Sequence, residues 1–261
     1  MSLRQGAFLM NKYSFLPVSL ILTLLHSPPS MAQNAMRGPD EAAFTVHDSP
    51  GIGLGARFQF EQREFKLNGQ PEGVNNRFDA DIAQFYGRAG GNPVPFLHLI
   101  GEAGYSSIDL DTADGDGGFS WALGFQADIL DRVLESSPVV GHKRVLSLGL
   151  EGWIRQVTAE FGADDLDYNE FQIMPTLRYT HNRRGEPLSR PYQPTGVTAE
   201  LGFAYSYVDG ELGSSDFEAE QEFGLLLGTS FRLWRGWMAD LRGIIYGNSD
   251  FSLSFGPTYF F

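Results

Sequence analysis

Arginine and glutamate recur at alternate positions along much of this chain, and the chemistry that spacing allows is ion pairing in a confined place. Arg57, Gln59, Glu61 and Arg63 fall on one side of an extended segment, and Glu151, Trp153 and Arg155 on one side of another, because strand side chains alternate faces. Rows of the same kind hold Asp79 and Asp81, Glu102, Asp128, Glu170 and Arg178, Glu200, then Glu218, Glu220 and Glu222, and finally Asp240 and Arg242. Arginine outnumbers lysine 16 to 3, and a guanidinium is the better cation for bidentate pairing with carboxylates. If neighbouring segments pair symmetrically about their turns, Glu151 lies across from Arg178, and Arg178 across from Glu200. Arg242, Arg57 and Glu102 come to a similar depth. The spacing therefore predicts an interior layer of Arg57, Glu102, Glu151, Arg178, Glu200 and Arg242, since a buried charge is tolerable only when paired. The alternative is a set of single charges in a wet interior.

Other chemistries find less support. There are no cysteines, so neither a disulfide framework nor a thiolate metal site is available. Of the five histidines, His26 and His47 precede the first segment, and His98, His142 and His181 sit near segment ends or in a turn. Asp109-Leu110-Asp111-Thr112-Ala113-Asp114-Gly115-Asp116-Gly117 has the look of a calcium loop. It places Ala113 where a third ligand belongs and lacks a closing Glu, so it reads as a solvated acidic loop. His98 with Glu102 reads as a satisfied interior pair. No catalytic residue, cofactor or metal is expected. A net charge of −13 argues against nucleic-acid binding.

The elements that must position these rows are strands. Arg4 and Lys12 precede the apolar run from Phe15 to Leu25, and Ser30-Met31-Ala32 offers small residues for cleavage, which predicts a secretory signal over residues 1–32. Residues 33–50 read as a flexible lead-in. From 51 to 261 ten alternating segments follow, separated by turn signals. In the first, Ile52, Leu54, Ala56, Phe58 and Phe60 oppose the Arg57 row. The second sets Phe78, Ala80, Ile82 and Tyr86 as the oily face against Asp79 and Asp81. In the fourth, Phe119, Trp121, Leu123, Phe125, Ala127 and Ile129 oppose small and polar residues. The eighth groups Phe217 with Phe223, Leu225, Leu227 and Phe231 against Glu218, Glu220 and Glu222. Trp237 to Tyr246 is the weakest pattern.

The last segment is the most telling. Phe251, Leu253, Phe255, Pro257, Tyr259 and Phe261 fall on one side, and Ser252, Ser254, Gly256 and Thr258 on the other. This resembles the terminal strand of bacterial outer-membrane β-barrel proteins, which typically ends in Phe. The resemblance implies that Phe251, Leu253, Phe255, Tyr259 and Phe261 form the signal read by the barrel-assembly machinery. It also implies a location in the outer membrane among its lipid and lipopolysaccharide. The expected fold is an all-β, closed antiparallel up-and-down transmembrane barrel of ten strands, with eight or twelve as neighbouring solutions, in which oily rows face lipid and ionic rows the lumen. In architecture it is similar to the small OmpA-type barrels. Trp121, Tyr179, Tyr205, Tyr207, Trp237, Tyr246 and Tyr259 are read as interfacial aromatics.

With the chain ends on the periplasmic side, the connections sort by sign. Acidic ones (Asp109, Asp111, Asp114 and Asp116; Asp164, Asp165 and Asp167; Asp209, Glu211 and Asp216) face outward, and basic ones (Arg88; Arg132, His142 and Lys143; Arg183, Arg184 and Arg190; Arg232 and Arg235) inward. The inner turns around 132–143 and 182–194 look longer than such barrels usually have. Lipid-A deacylases of this architecture use a His-x-Ser pair, and none falls within the ten segments. Omptin-type proteases use Asp-Asp and Asp-His pairs, and Asp79-Ala80-Asp81 has no Asp-x-His to accompany it. The reading is a monomeric, non-enzymatic barrel with a structural or surface-interaction role. A small pore or transporter, and a soluble periplasmic ligand-binding barrel, are the alternatives.

Overall fold

Each alternating segment becomes a strand that pairs antiparallel with its neighbour. A computed structural model describes residues 52–68, 77–94, 96–110, 113–115, 117–137, 142–161, 164–183, 196–219, 223–233, 236–247 and 250–261. The signal and lead-in lie outside the described residues, as do Asp111, Asp116, Arg184, Arg190, Glu220, Glu222 and Arg235. The strands are β1 (Ile52–Leu67), β2 (Arg77–Val94), β3 (Leu97–Leu110), β4 (Ala113–Asp114), β5 (Gly118–Ser137), β6 (His142–Phe161), β7 (Asp164–Arg183), β8 (Gly196–Leu212), β9 (Ser215–Ala219), β10 (Phe223–Arg232), β11 (Trp237–Tyr246) and β12 (Phe251–Phe260).

Ten of them form a closed ring in the order β1-β2-β3-β5-β6-β7-β8-β10-β11-β12, with β12 returning to β1. The closing register sets Leu54 against Tyr259 and Phe60 against Leu253. Closure leaves no open edge, which an apolar surrounding would penalise by several kcal/mol for each unpaired backbone group, on the order of magnitude given by transfer studies. The weakly patterned segment is a full strand, β11. Arg132 and Lys143, read as parts of a long turn, instead lie in β5 and β6, which stay paired as far as Ser137 and His142.

The wall changes at the end away from Ile52 and Phe261, the first and last described residues, which meet at the other, terminal, end. β11 and β12 are only 10 residues each, and above the tip of their hairpin β9 bridges β8 directly to β1. The last two strands thus drop out of the wall. Between the final β1–β12 pair, Gln62 with Phe251, and the first β1–β9 pair, Phe65 with Ala219, the backbone N–H of Glu64 has lost its ladder. The carboxylate of buried Asp250 accepts from it at 3.1 Å, meeting the requirement that buried backbone donors be satisfied. Gly213, at φ 60°, makes the tight β8–β9 turn that a residue with a Cβ would resist.

This narrowed part, the crown, encloses a hydrophobic core of Phe65, Ala80, Ile82, Ile108, Val157, Ala159, Leu166, Tyr168, Val208, Phe217 and Ala219. Two expectations are corrected here. On β2, Phe78, Ala80 and Ile82 point inward and Asp79 and Asp81 outward, and Phe217 is fully buried, away from Phe223, Leu225 and Leu227. Tyr86 also points inward, just below the core. The reason is that the two faces exchange polarity partway up the wall. Along β1 the outward row runs Ile52, Leu54, Ala56, Phe58, Phe60 and then Gln62, Glu64, Lys66, while the inward row runs Arg57, Gln59, Glu61, Arg63 and then Phe65, Leu67. β6 does the same, passing outward from Ile154 to Gln156, Thr158 and Glu160 and inward from Arg155 to Val157 and Ala159. Below the exchange the barrel is inverted relative to a soluble protein. Above it, the pattern is that of a soluble β-domain.

Candidate functional site

The charged rows meet inside the inverted part of the barrel. Nearest the chain termini, Arg57 of β1 reaches Glu102 of β3 at 3.1 Å, and Arg88 of β2 holds the same carboxylate at 2.7 Å and Asp240 of β11 at 3.5 Å. Beside this cluster, Arg178 of β7 contacts three acids: Asp128 at 2.7 Å, Glu151 at 3.1 Å and Glu200 at 3.0 Å. Arg242 of β11 crosses the lumen to Glu151 at 2.7 Å and Glu200 at 3.0 Å. All six residues of the expected layer therefore make ion pairs, but in two groups rather than one alternating ring. Arg88, Asp128 and Asp240, which the expected layer had not included, complete those groups. Asp128 and Asp240 were legible as inward positions of their strands, without the register that sets their depth, whereas Arg88, read as part of an inner connection, lies instead within β2 and points into the lumen because that strand runs on to Val94.

The register also differs in one place. Arg178 opposes Glu200 as expected, but its partner on β6 is Ser147, and Glu151 opposes Met174. Glu151 still reaches Arg178 because the side chains lean along the strands. Gly149 and Gly228 make the room: a Cβ on the first would come within 2.6 Å of Arg178 Nη2, and on the second within 2.9 Å of Glu200 Oε2.

Farther from the termini the lumen is crossed by an apolar layer of Trp153, Met174, Ala204, Leu226 and Ile244, then by a second ionic layer. There Arg155 contacts Glu61 at 3.0 Å and Glu170 at 3.1 Å, and Arg63 contacts Glu170 at 2.6 Å. Gln59 and Ser252 hydrogen-bond Glu61, and Ser206 donates to Glu170. Tyr246, read from sequence as an interfacial aromatic, is inside instead: it lies under the Arg63 guanidinium, 4.2 Å from the ring centre, and accepts from Gln172. Arg63 and Glu151 are nearly inaccessible, to 2% and 1%, which charges tolerate only with this degree of pairing. The crown core lies beyond. The lumen is thus obstructed three times over, twice by ion pairs with an apolar layer between, and once by the crown.

Outside the ring, the level that holds the ion pairs carries the opposite surface. Phe60, Leu99, Leu123, Ile154, Leu201, Phe203, Phe223, Leu241 and Leu253 are all exposed, Phe203 to 69%. Toward the termini the belt is edged by Tyr179, Trp237, Tyr259 and Phe261, with the rings of Trp237 and Tyr259 5.2 Å apart, and toward the crown by Trp121, Tyr205 and Tyr207. A closed wall that is oily outside and ionic within can be solvated only by lipid. The chain is a membrane-spanning β-barrel.

Strands of about 9 to 11 residues cross a bilayer when tilted, and β10, β11 and β12 are 10 each. No protein-family model and no curated protein sequence matches the chain. Solved structures similar to it include the transport unit of the autotransporter AIDA-I from Escherichia coli, at 12% identity over 94% of this chain and 97% of that one, with a TM-score of 0.45. The outer membrane protease OmpT from Escherichia coli is 11% identical over 82% of this chain and 97% of that one, with a TM-score of 0.37. An outer membrane channel from Pseudomonas putida F1 is 11% identical over 87% and 100%, with a TM-score of 0.36. Likenesses this distant transfer no activity. In this barrel Asp79 and Asp81 both lie on the outer face of β2.

The height of the lipid belt can be checked directly. Leu253→Arg, in mid-strand on the outer face, is expected to destabilise the barrel in vesicles by about 2–4 kcal/mol, and Glu211→Arg, on the crown, by about 0–1 kcal/mol. Unfolding in guanidinium measures both, and equal effects would contradict the assigned level.

Proposed function

We propose that this barrel is a non-conducting membrane scaffold, closed to through-flow, whose role is to hold a folded acidic crown at the cell surface. The supporting observation is the serial obstruction of the lumen, in which two sets of ion pairs and a separate hydrophobic core lie along one axis. A pore would need a continuous wet path, and side chains of opposite charge at 2.6 to 3.1 Å leave none at those levels. The chain termini face the periplasm, and the outward row Phe251, Leu253, Phe255, Tyr259 and Phe261 serves as the assembly signal. The crown then stands outside the membrane. Its surface carries Asp79, Asp81, Asp109, Glu160, Asp165, Asp167, Asp209, Glu211 and Asp216, all exposed, a display suited to contact with cationic partners or with ions bound among lipopolysaccharide.

Purified barrel inserted into planar bilayers is expected to give a flat current trace at voltages and salt concentrations where general porins open. A reproducible unitary conductance would sink the scaffold reading and restore the small pore.

A further inference from the structure

We propose that the outer face of β5, β6 and β7 at the terminal end binds the headgroup of an anionic phospholipid, of the phosphatidylglycerol kind, through Arg132 and Arg144. Strand parity puts both side chains outside. Ser147 opposes Arg178, whose guanidinium lies in the lumen, so their neighbours Leu146 and Tyr179 face out. Arg132 is the ladder partner of Leu146, and Leu146 of Tyr179, which makes one outward row across the three strands. The next row toward the end is Glu135, Arg144 and His181. Arg132 and Arg144 are both exposed. They are diagonal neighbours on adjacent strands, a separation of about 7–8 Å that long side chains span, so their two guanidinium groups can close on one phosphodiester.

The level of this patch is that of a headgroup. Toward the crown it is continuous with Leu130, Leu148 and Leu177, all exposed, and Tyr179 of its upper row belongs to the aromatic edge of the lipid belt. A phospholipid seated here would lay its acyl chains on the leucines and its phosphate on the arginines. The charge is confined to one side of the ring. At the same end β1, β11 and β12 present Ile52, Leu54, Trp237 and Tyr259, which are exposed and uncharged. Two arginines against one acidic residue, Glu135, leave the patch with net positive charge, which favours an anionic headgroup over a zwitterionic one. A soluble phosphate would gain the arginines but not the leucines. The inference is independent of whether the lumen conducts.

Short-chain phosphatidylglycerol and phosphatidylcholine, titrated separately onto the refolded barrel in neutral detergent micelles at equal ionic strength, test this through the backbone amide NMR signals of Leu146 and Tyr179. Saturable shifts are expected, tighter for phosphatidylglycerol by about fivefold, the factor that one charge near an anionic bilayer carries. Arg132→Gln and Arg144→Gln should each lower its affinity by about that factor, and the two together should leave no preference between the lipids. Arg77→Gln, at an exposed arginine on the crown, should change neither, with heat-modifiable gel mobility confirming that each variant is folded. Equal affinity for the two lipids in the parent, or a preference that survives in the folded double variant, would overturn the proposal. Glycerol phosphate saturating the same signals as tightly as the lipid would overturn it too, by making the patch a site for soluble anions.

Discussion

Phe217→Ala is expected to lower the stability of the refolded barrel by about 3–5 kcal/mol, the range for deleting a large aromatic from a packed core. Phe217 is fully buried, with ring centres 5.0 Å from Phe65, 5.6 Å from Phe78 and 6.4 Å from Tyr168. It also sits on β9, the strand that ties β8 to β1 where the β11–β12 hairpin has ended. The cavity would therefore open beside the shortest ladder in the wall. Guanidinium unfolding followed by tryptophan fluorescence measures the loss. Limited proteolysis should find the crown newly cleavable while the membrane strands stay protected. Glu160→Ala, on the solvent side of the same level, is expected to change stability by about 0.5 kcal/mol or less. A Phe217→Ala effect as small as that would show that the crown has no core of its own.

Arg178→Met should be comparably severe, about 3–5 kcal/mol, because it withdraws a buried cation from its carboxylates while nearly preserving volume. Asp128, Glu151 and Glu200 share this one guanidinium, and Arg242 alone would remain to face the last two. The loss is expected to be mostly electrostatic rather than a matter of packing. Combining Arg178→Met with Asp128→Asn and Glu200→Gln should then recover much of the stability, a non-additivity that mutant cycles on the folded barrel can read. Should Arg178→Met alone unfold at the same guanidinium concentration as the parent, these pairs would contribute nothing, and the interior would be better described as wet.

Much of this barrel was readable one strand at a time. The alternation of Phe251, Leu253, Phe255 and Tyr259 with Ser252, Ser254, Gly256 and Thr258 gives the faces of β12 directly, because in a strand face follows from parity alone. Arg57, Glu102, Glu151, Arg178, Glu200 and Arg242 were identifiable as inward residues for the same reason. What parity does not supply is depth. The placement of Glu151 opposite Met174, and the recruitment of Arg88, Asp128 and Asp240, depend on how far each strand is slid along the next. A shift of two residues leaves every face unchanged while moving each charge to a new partner.

The clearest division concerns Phe78, Ile82 and Phe217. Their sequence settles that they are apolar and share a face with other apolar residues or oppose acids. It does not settle whether an apolar face looks out or in, since both membrane and soluble barrels alternate. That is decided by which medium surrounds the wall at each height, and the height is fixed only when ten strands close and the short β11–β12 hairpin ends below β9. From composition and period alone came a closed β-barrel with ionic and oily rows. Only the assembled wall could turn the oily rows outward to lipid in one part and inward to form a core in the other, because the sign of burial belongs to the surroundings and not to the residue.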